Sequence, residues 1–484
     1  MKQILKSPYK NLFFLGLFIY CVAAWFSIGY HYPDEHFQVL EFCNYKLGKI
    51  AASQLPWEFK AQMRPALQPA IAFAVINGLK VFKVNNPFVY AIVLRLIIAF
   101  FGWLIYCRII LLLLPNFTTS KGRLFFVMAG FCVWFTPYIN VRFASENACA
   151  IALLWAIYFL LKDKKNSSFF IAGIFLGLSF YFRYQIAFAI MGVGFWQIFQ
   201  KEKFKNILFM GGAFILVAAI CTVLDYWLYG KLVCSPYNYY FYNIQQGIAA
   251  ANGIEPWYFY FKFFVLIGFI PVSIFLFLFF FTGLSIQPKN IFAFTVIPFL
   301  LAHIVLDHKE MRFIFPMIFP FTFFVAIGYE KLVPYFRFKI LKIIWIVTMV
   351  INFGLLVFRC FMPAQEAIDC YKYLYDNYNK RPTTVICVGV PLYKLVGLDV
   401  SFYKAEGVKE VDVNSYDEAQ NYLTKNSIKS AILLNEEISF SGKMAPYKTK
   451  RIYCTFPDLV LQFNFNNWQA KSRVWSLWEL NKAN

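Results

Sequence analysis

The chain contains a series of long stretches without charged residues, and these stretches limit its possible folds more than any other feature. Residues 11–30 form the first of them, and several later stretches also reach the roughly 20 apolar residues that a helix needs to cross a bilayer. Hydrophobic residues make up 60% of the chain and charged residues only 15%, outside the usual range of water-soluble domains. The sequence therefore predicts an α-helical polytopic membrane protein.

The charged connectors between the apolar stretches predict the direction of about eleven membrane-spanning helices. Lysine and arginine collect in connectors 115–123, 162–166, 200–205, 284–289 and 330–338, which places these connectors and the N-terminus on the inner face. The apolar stretch 66–83 is short and contains Pro69 and Asn77, so we expect it to lie along the outer interface. The predicted spans are 11–30, 88–114, 124–140, 146–161, 167–182, 184–199, 206–228, 257–283, 290–306, 313–329 and 339–360.

The net charge of +21 and the eleven cysteines have simple explanations in a membrane protein. The excess lysines lie in the inner connectors, so they reflect topology, and we expect no nucleic-acid partner. The cysteines lack metal-like spacing, and most lie in apolar helices, where cysteine acts as a small hydrophobic residue. A disulfide among Cys370, Cys387 and Cys454 remains open if the tail faces an oxidising compartment.

The tail after residue 360 differs in composition from the rest, and we predict two domains. Residues 1–360 form a transmembrane catalytic domain, and residues 361–484 form a small extracytoplasmic α/β domain. The tail alternates a helix at 364–378, a strand at 383–390, a helix at 416–425 and a strand at 430–434. An odd number of spans places this domain on the outer face.

The polar residues that are not topological lysines collect at the outer ends of the predicted helices. Asp34 and Glu35 follow Pro33 directly after the first span, where two adjacent acids are costly unless they have a function. The remaining candidates, all in predicted outer segments, are His36, Gln38, Glu41, Glu58, Arg64, Arg142, Glu146, Asn147, Arg183, Asp225, Trp257, His308, Lys309, Glu310 and Arg312.

These residue types fit the transfer of a sugar from a lipid phosphate. The leaving group is a phosphate anion, so arginine and lysine donors should surround it as charge develops. The acceptor is a sugar hydroxyl, a poor nucleophile that needs a carboxylate to take its proton, and Asp34 is the predicted base. One base without a second nucleophilic carboxylate predicts inversion at the anomeric carbon.

Each candidate also has a purely structural interpretation. The alternatives are a helix cap for Asp34, Glu35 or Asp225, a solvated turn for 308–312, an i,i+4 ion pair of Arg142 with Glu146, and an interfacial belt role for Trp257.

The ordered motifs resemble the lipid-linked mannosyltransferases of glycosyltransferase family 22, which act in GPI-anchor and N-glycan precursor assembly. The resemblance covers most of residues 1–330. It rests on Pro33-Asp34-Glu35-His36-Phe37-Gln38 with Glu41, Trp57-Glu58, Arg64, the segment 142–147, Asp225 with Tyr229-Gly230, Pro256-Trp257-Tyr258, His308-Lys309-Glu310 and Arg312-Phe313.

This resemblance implies a GT-C fold with an outer first loop containing interfacial helices. It implies an inverting enzyme that takes mannose from a polyprenyl phosphate and passes it to a glycan or glycolipid acceptor, with Asp34 as base and Glu35 beside it. Neither a metal nor another cofactor is implied. Residue usage rich in Phe, Lys, Asn and Tyr suggests a bacterial inner membrane with a periplasmic active site; in a eukaryote the site would face the ER lumen.

Two other functions compete with this hypothesis. A transporter or flippase of lipid-linked sugars would also place polar residues along a membrane path, but it predicts internal repeats, and the sequence shows no such duplication. Another GT-C enzyme, such as an arabinosyl- or aminoarabinosyltransferase, would share the acid of the first loop. The turn His308-Lys309-Glu310 favours the mannosyltransferase hypothesis.

Overall fold

Helices dominate the computed structural model, which describes residues 1–251, 253–267, 269–336, 338–395, 397–436, 444–464, 467–471 and 474–482. The chain forms two units. The helical unit comprises Met1–Phe26, Trp57–Gly78 and Ile92–Met362, and the loop–tail unit comprises Ser27–Pro56, Leu79–Ala91 and Pro363–Asn484. The first loop therefore groups with the tail.

Among the described residues, five helical segments have the length and hydropathy needed to cross a membrane, and six shorter apolar helices accompany them. The five are Pro87–Asn116, Ser145–Lys162, Phe204–Tyr229, Met311–Tyr335 and Lys339–Phe361. The shorter ones are Lys10–Phe26, Leu67–Val81, Asn166–Phe182, Tyr184–Phe199, Val272–Ile286 and Ile291–Val305. The predicted polytopic helical fold is thereby confirmed.

The other helical segments are short and connect or flank these helices. In the helical unit they are Lys2–Leu5, Trp57–Lys60, Ser120–Cys132, Thr136–Asn140, Ser235–Tyr240, Phe241–Gln245, Ile248–Ala251 and Phe259–Ile267. In the loop–tail unit they are Pro33–Glu35, His36–Glu41, Phe42–Lys46, Ala52–Gln54, Glu366–Tyr378, Tyr416–Lys425, Asp458–Leu461 and Trp468–Lys471.

Two predicted spans, 124–140 and 257–283, were wrong as single helices. The first is broken between Cys132 and Thr136, just before Pro137, and the second is broken before Pro271. Proline breaks a helix because it has no N–H to continue the hydrogen bonds and clashes with the preceding turn. Asn352 repairs the first break, since its amide donates to the Cys132 carbonyl at 2.8 Å and accepts from the Trp134 N–H at 3.1 Å. Backbone groups freed inside an apolar protein require such partners.

Glycines allow two helices of the helical unit to approach closely. A Cβ on Gly283, in helix Val272–Ile286, would lie 1.9 Å from the carbonyl oxygen of Phe324. A Cβ on Gly328 would lie 1.9 Å from the carbonyl oxygen of Phe279. The contact is reciprocal, so each glycine accommodates the backbone of the opposite helix, as small residues commonly do in membrane helix pairs.

Contacts link connectors that the sequence predicts on one face. Lys164 Nζ lies 2.6 Å from Glu202 Oε2 and joins connectors 162–166 and 200–205. Glu330 accepts a hydrogen bond from the Thr119 N–H at 2.7 Å and joins 330–338 to 115–123. Arg337, in the last of these connectors, lies outside the described residues.

In its described part, the loop–tail unit contains a five-stranded mixed sheet, which confirms the predicted α/β character of the tail. Its strands, in spatial order, are Val408–Val413, Thr383–Val388, Ser430–Asn435, Ser476–Lys482 and Tyr447–Cys454. The first three are parallel, and the last two are antiparallel to their neighbours. A hairpin pairs Lys394–Leu395 with Leu398–Asp399. All eleven cysteines are free thiols, so the disulfide left open by the sequence is not formed.

Local sequence signals explain the elements of the tail that were predicted. Helix Tyr416–Lys425 begins at the predicted residue because Ser415 accepts from the Glu418 N–H while Glu418 accepts from the Asn414 N–H, a reciprocal cap. The strands at 408–413, 447–454 and 476–482 and the short pair at 394–395 and 398–399 were missed. The first two of these are edge strands rich in charged residues, which protect an exposed sheet edge but obscure the apolar pattern of a strand.

The reciprocal glycine contact predicts that Gly328→Val destabilises the helical unit. The added side chain meets the Phe279 carbonyl, and overpacking of this kind costs about 1–3 kcal/mol. We expect a lower midpoint of thermal unfolding for the detergent-purified protein. Gly354→Val is the matched control, because Gly354 is helical and exposed with no atom within 4 Å of an added Cβ. Equal midpoints for the two variants would contradict the close approach.

Candidate active site

The Pro-Asp-Glu segment forms one helical turn, Pro33–Glu35. Tyr32 precedes it with an extended backbone, as expected before proline, and Pro33 occupies the first helical position, where its missing N–H is not needed. The chain then continues through a π-helical segment, His36–Glu41. Such segments are rare and frequently occur at functional sites.

The three acids of the first loop differ in exposure. Glu35 is 8% exposed, and its carboxylate accepts a hydrogen bond from the His31 backbone N–H at 2.9 Å. Glu41 is 1% exposed, whereas Asp34 is half-buried. Asp34 is therefore the most accessible carboxylate of the three, as a base that meets a substrate hydroxyl must be.

Glu41 connects the first loop to the tail within the loop–tail unit. Its Oε1 lies 2.8 Å from His36 Nε2 and accepts the Phe402 backbone N–H at 2.8 Å. Its Oε2 accepts from Asn44 Nδ2 at 3.2 Å. A buried carboxylate needs several donors to offset the loss of hydration, and these three provide them. The imidazole of His36 also stacks on the Tyr403 ring, with the centroids 5.6 Å apart.

His36, Gln38 and Glu41 remain predicted substrate contacts, and all three are buried. Nδ1 of His36 has no hydrogen-bond partner among the described residues. The hydrogen bonds of Glu41 give it a clear structural task, which is to hold the π-helical segment against the backbone at Phe402.

A buried charge network lies in the helical unit around Glu146, which is 3% exposed. Oε1 of Glu146 lies 2.9 Å from Arg183 Nη1 and 3.5 Å from Arg312 Nη1. Arg312 also binds Glu310 through two parallel contacts, at 2.8 and 2.9 Å, and His308 Nε2 lies 3.2 Å from Glu310. Residues from three distant parts of the chain therefore form one connected ionic network.

The two guanidinium groups of this network share a second neighbour. The guanidinium carbons of Arg183 and Arg312 lie 5.0 and 5.4 Å from the centroid of the Phe313 ring. Nε of Arg183 is buried without a hydrogen-bond partner among the described residues. A buried N–H that is not hydrogen-bonded is costly, and a bound anion could satisfy it.

The turn 308–312 is not the solvated turn that the sequence left open. Lys309 is 4% exposed and donates to the Glu255 carbonyl at 2.8 Å and to the Leu306 carbonyl. These carbonyls carry only partial negative charge, so the buried ammonium adds a positive charge in the same turn as Arg312. The segment is fixed by its buried cations.

Asp225 anchors the segment that contains Arg64. Its Oδ1 accepts the Ala66 backbone N–H at 2.8 Å, and its Oδ2 accepts from the Ser235 hydroxyl. One turn further along the same helix, the Tyr229 hydroxyl donates to the Arg64 carbonyl at 2.7 Å. Asp225 therefore anchors neighbouring chain segments, and the substrate contact predicted for it stays a prediction.

Arg64 pairs with Glu58 within the predicted outer segment of the helical unit. Its Nη2 and Nε lie 2.5 and 3.2 Å from Glu58 Oε1. The guanidinium carbon of Arg64 also lies 5.4 Å from the centroid of the Tyr239 ring. Glu58 and Arg64, two candidates that the sequence analysis named separately, thus meet in the structure.

The remaining candidates have distinct surroundings. Asn147 donates to the carbonyls of Asn140 and Arg142, both at 2.9 Å, and so holds the turn that precedes Glu146. Arg142 is 3% exposed and lies over the Tyr138 ring at 5.8 Å. Trp257 is 67% exposed, which suits the interfacial role left open for it.

Several residues that complete these clusters were not singled out from the sequence. Ser235 and Tyr184 extend the hydrogen bonds of Asp225, with the two hydroxyl oxygens 2.6 Å apart. Phe402 and Tyr403 complete the surroundings of Glu41 and His36. Only the long-range fold reveals these contacts, because no local motif links residue 41 with residue 402.

Comparison with known families supports the hypothesis drawn from the motifs. A model of the Alg9-like mannosyltransferase family matches residues 11–396. GPI mannosyltransferase 3 of Candida albicans is 27% identical over 380 residues, which cover 77% of this chain and 73% of the relative. GPI alpha-1,2-mannosyltransferase 3 of Bos taurus is 25% identical over 304 residues, covering 62% of this chain and only 54% of the relative.

Solved structures provide a comparison of the fold. ArnT from Cupriavidus metallidurans bound to undecaprenyl phosphate matches with a TM-score of 0.57 and 11% identity, over 98% of both chains. The apo state of the same protein matches with a TM-score of 0.55. At this identity the similarity concerns the fold alone, and it confirms the predicted GT-C fold.

The contacts of Glu41 predict a large effect of Glu41→Leu on stability. The variant leaves the His36, Asn44 and Phe402 donors without their acceptor, and removing one partner from such a buried cluster costs about 3–5 kcal/mol. We expect a clearly lower thermal midpoint and faster proteolysis of the tail. Glu41→Gln keeps the shape and one acceptor, so its loss should be much smaller. Identical midpoints for both variants would show that these hydrogen bonds do not hold the loop.

Proposed function

Because the chain belongs to the Alg9-like mannosyltransferase family, we propose that it transfers mannose from a polyprenyl-phosphate donor to a glycan or glycolipid acceptor. The reaction takes place at the extracytoplasmic face of the membrane, and the anomeric configuration inverts. Glycosyltransferase activity follows from the family itself, and the GT-C fold agrees with it. The alternative of a transporter or flippase is therefore set aside.

The observation that carries the proposal is the buried network around Glu146. Arg183 and Arg312 converge on one carboxylate oxygen and one aromatic ring, and Lys309 adds a further buried ammonium. Cations held in a site that excludes water stabilise the charge that develops on a departing phosphate, and they need no rearrangement during the reaction. We assign Arg183, Arg312 and Lys309 to the phosphate of the donor.

Asp34 acts as the base for the acceptor hydroxyl. The hydroxyl oxygen forms a bond with the anomeric carbon while its proton passes to the Asp34 carboxylate. The bond between the anomeric carbon and the phosphate oxygen breaks, and the lipid phosphate leaves with the electron pair. A single displacement of this kind inverts the configuration. Glu35 lies beside Asp34 and supports the turn through its hydrogen bond with His31.

The remaining candidates serve as substrate contacts in this proposal. Those in the helical unit are Glu58, Arg64, Arg142, Asn147, Asp225, Trp257, His308 and Glu310. Those in the first loop are His36, Gln38 and Glu41.

The comparisons support the choice of substrates. The solved structure of ArnT contains undecaprenyl phosphate, and its fold extends over nearly the whole of this chain, so a polyprenyl phosphate suits the same architecture. The relatives from Candida albicans and Bos taurus are GPI mannosyltransferases, which supports mannose as the sugar and a glycolipid as the acceptor.

Asp34→Asn tests the proposed base. We expect transfer from radiolabelled polyprenyl-phosphate mannose in membrane fractions to fall by about 10²–10⁴-fold, as is typical for loss of a general base. Asp417→Asn is the matched control, because Asp417 is an exposed acid of helix Tyr416–Lys425, and its transfer should equal that of wild type. Wild-type transfer by Asp34→Asn would reject the role.

The same assay in sealed vesicles tests the membrane face. With an impermeant acceptor and a short-chain donor added outside, right-side-out vesicles should support transfer and inverted vesicles should not. Contacts between the predicted inner connectors support their lying on one common face, and their excess of lysine and arginine is the reason for assigning that face to the cytoplasm. Transfer confined to inverted vesicles would place the active site on the cytoplasmic face.

Arg183→Lys tests the phosphate assignment. Lysine keeps the positive charge beside Glu146 but loses the planar fork that binds phosphate through two donors, so we expect kcat/KM for the donor to fall by about 10–100-fold. Arg123→Lys is the control, since Arg123 is an exposed arginine of a predicted inner connector. An unchanged kcat/KM for Arg183→Lys, in protein with a wild-type melting midpoint, would remove Arg183 from the donor site.

A further inference from the structure

A large groove in the loop–tail unit has no assigned role. Its walls come from three separated parts of the chain, at residues 44–54, 80–90 and 375–410. Its volume is about 1600 Å³, whereas pockets for small molecules measure roughly 300–1,000 Å³. Its size suits an extended ligand such as an oligosaccharide.

The charges along the groove favour an anionic ligand. Among the described residues, six cations line it, against the four acids Asp376, Asp399, Glu406 and Glu410. Three of these acids already have partners, since Glu406 binds Lys49 at 3.4 Å, Glu410 binds Lys404 at 3.2 Å, and Asp376 binds Lys372.

Four cations of the groove therefore remain available. Lys80, Lys83, Lys380 and Arg381 make no ion pair within the described part of the chain. They come from two chain segments almost 300 residues apart, and the fold brings both segments to one groove. Unpaired cations of this kind suit phosphate groups, which accept several charge-assisted hydrogen bonds.

Other lining residues suit sugar rings. The amide of Asn86 caps a helix through its oxygen, at 2.8 Å from the Phe88 N–H, so its NH₂ group can serve as a donor. The Tyr375 hydroxyl donates to the Asn85 carbonyl at 3.0 Å and its ring packs against Phe88, which together fix an aromatic ring in the wall of the groove. Planar amides and aromatic rings match the hydroxyl groups and apolar faces of carbohydrates.

The segment Lys80–Lys83 has the composition of a segment that lies at a membrane interface. Val81 and Phe82 are 79% and 80% exposed, between two lysines that line the groove. Exposed apolar residues flanked by lysines are typical of segments that rest in the interface of a bilayer. A ligand in this groove is therefore expected to be anchored in the same interface.

We propose that this groove binds the phosphate-bearing oligosaccharide headgroup of the acceptor glycolipid. The inference rests on the proposed mannosyl transfer and adds the site at which the acceptor is captured. Asp34 belongs to the same unit, and the first residue of the groove wall, Asn44, lies ten positions further along the chain.

The test uses the full chain in nanodiscs of phosphatidylcholine and measures binding without any donor. The probe is dye-labelled α-mannotriose carrying one 6-phosphate, with neutral mannotriose and inorganic phosphate as comparators. We expect the phosphorylated trisaccharide to bind at least tenfold more tightly than either comparator. Lys380→Ala/Arg381→Ala should weaken it about tenfold or more, because each lost cation removes a charge-assisted contact. Lys409→Ala/Lys425→Ala, exposed lysines of the same unit outside the groove, should bind as wild type.

Kinetics and lipid composition separate the possible ligands. For an acceptor site, Lys380→Ala/Arg381→Ala should raise KM for the acceptor about tenfold with kcat unchanged. If phosphatidylglycerol in the nanodisc displaces the probe and the variant keeps the wild-type KM, the groove binds membrane phospholipid, and the acceptor assignment is overturned. Equal binding of charged and neutral trisaccharides would also overturn it.

Because binding is measured without donor, the proposed binding site and the proposed reaction are tested separately. Active transfer with wild-type binding and KM in the groove variant rejects the groove alone. Probe binding that depends on Lys380 and Arg381, in a protein that transfers no mannose, upholds the anionic-glycan site and rejects the proposed reaction.

Discussion

Buried carboxylates hold the functional segments together, because an acid removed from water must find its donors within the protein. Glu146 does so with two arginines, Asp225 with the Ala66 N–H and Ser235, and Glu41 with the Phe402 N–H, His36 and Asn44. In every case the acid joins chain segments that are far apart in sequence. The loops at the ends of the apolar helices thereby gain a defined shape that the helices alone would not impose.

The same requirement acts on the backbone inside the helical unit. Where a predicted span breaks between Cys132 and Thr136, the amide of Asn352 supplies one donor and one acceptor to the free groups. Where two helices touch, Gly283 and Gly328 allow the opposite carbonyls to approach. These contacts are hydrogen bonds and close backbone packing. The hydrophobic effect contributes little to helix association where the surroundings of the helices are also apolar.

The sequence predicted the helical architecture well because apolar length is a local property. It also singled out acids and arginines at the ends of those stretches, and the structure brings Glu146, Arg183 and Arg312 among them together. It could not predict that the first loop groups with the tail, since the link from Glu41 to Phe402 has no local signature. The edge strands of the tail were missed for a related reason. Their charged residues protect sheet edges, and only their neighbours in the sheet reveal them as strands.

The two cationic regions differ in a way that suits two different tasks. Arg183, Arg312 and Lys309 are almost fully buried and held by carboxylates, carbonyls or an aromatic ring, so their positions are set before a ligand arrives. Such preorganised charge is most effective where new charge forms during a reaction. Lys380 and Arg381 are exposed and unpaired among the described residues, and they can adapt to a ligand that is already charged. Interactions that are equally strong before and during the reaction improve capture of the substrate but do not speed its conversion. The burial of the cations, more than their number, therefore separates the region suited to transfer from the one suited to binding.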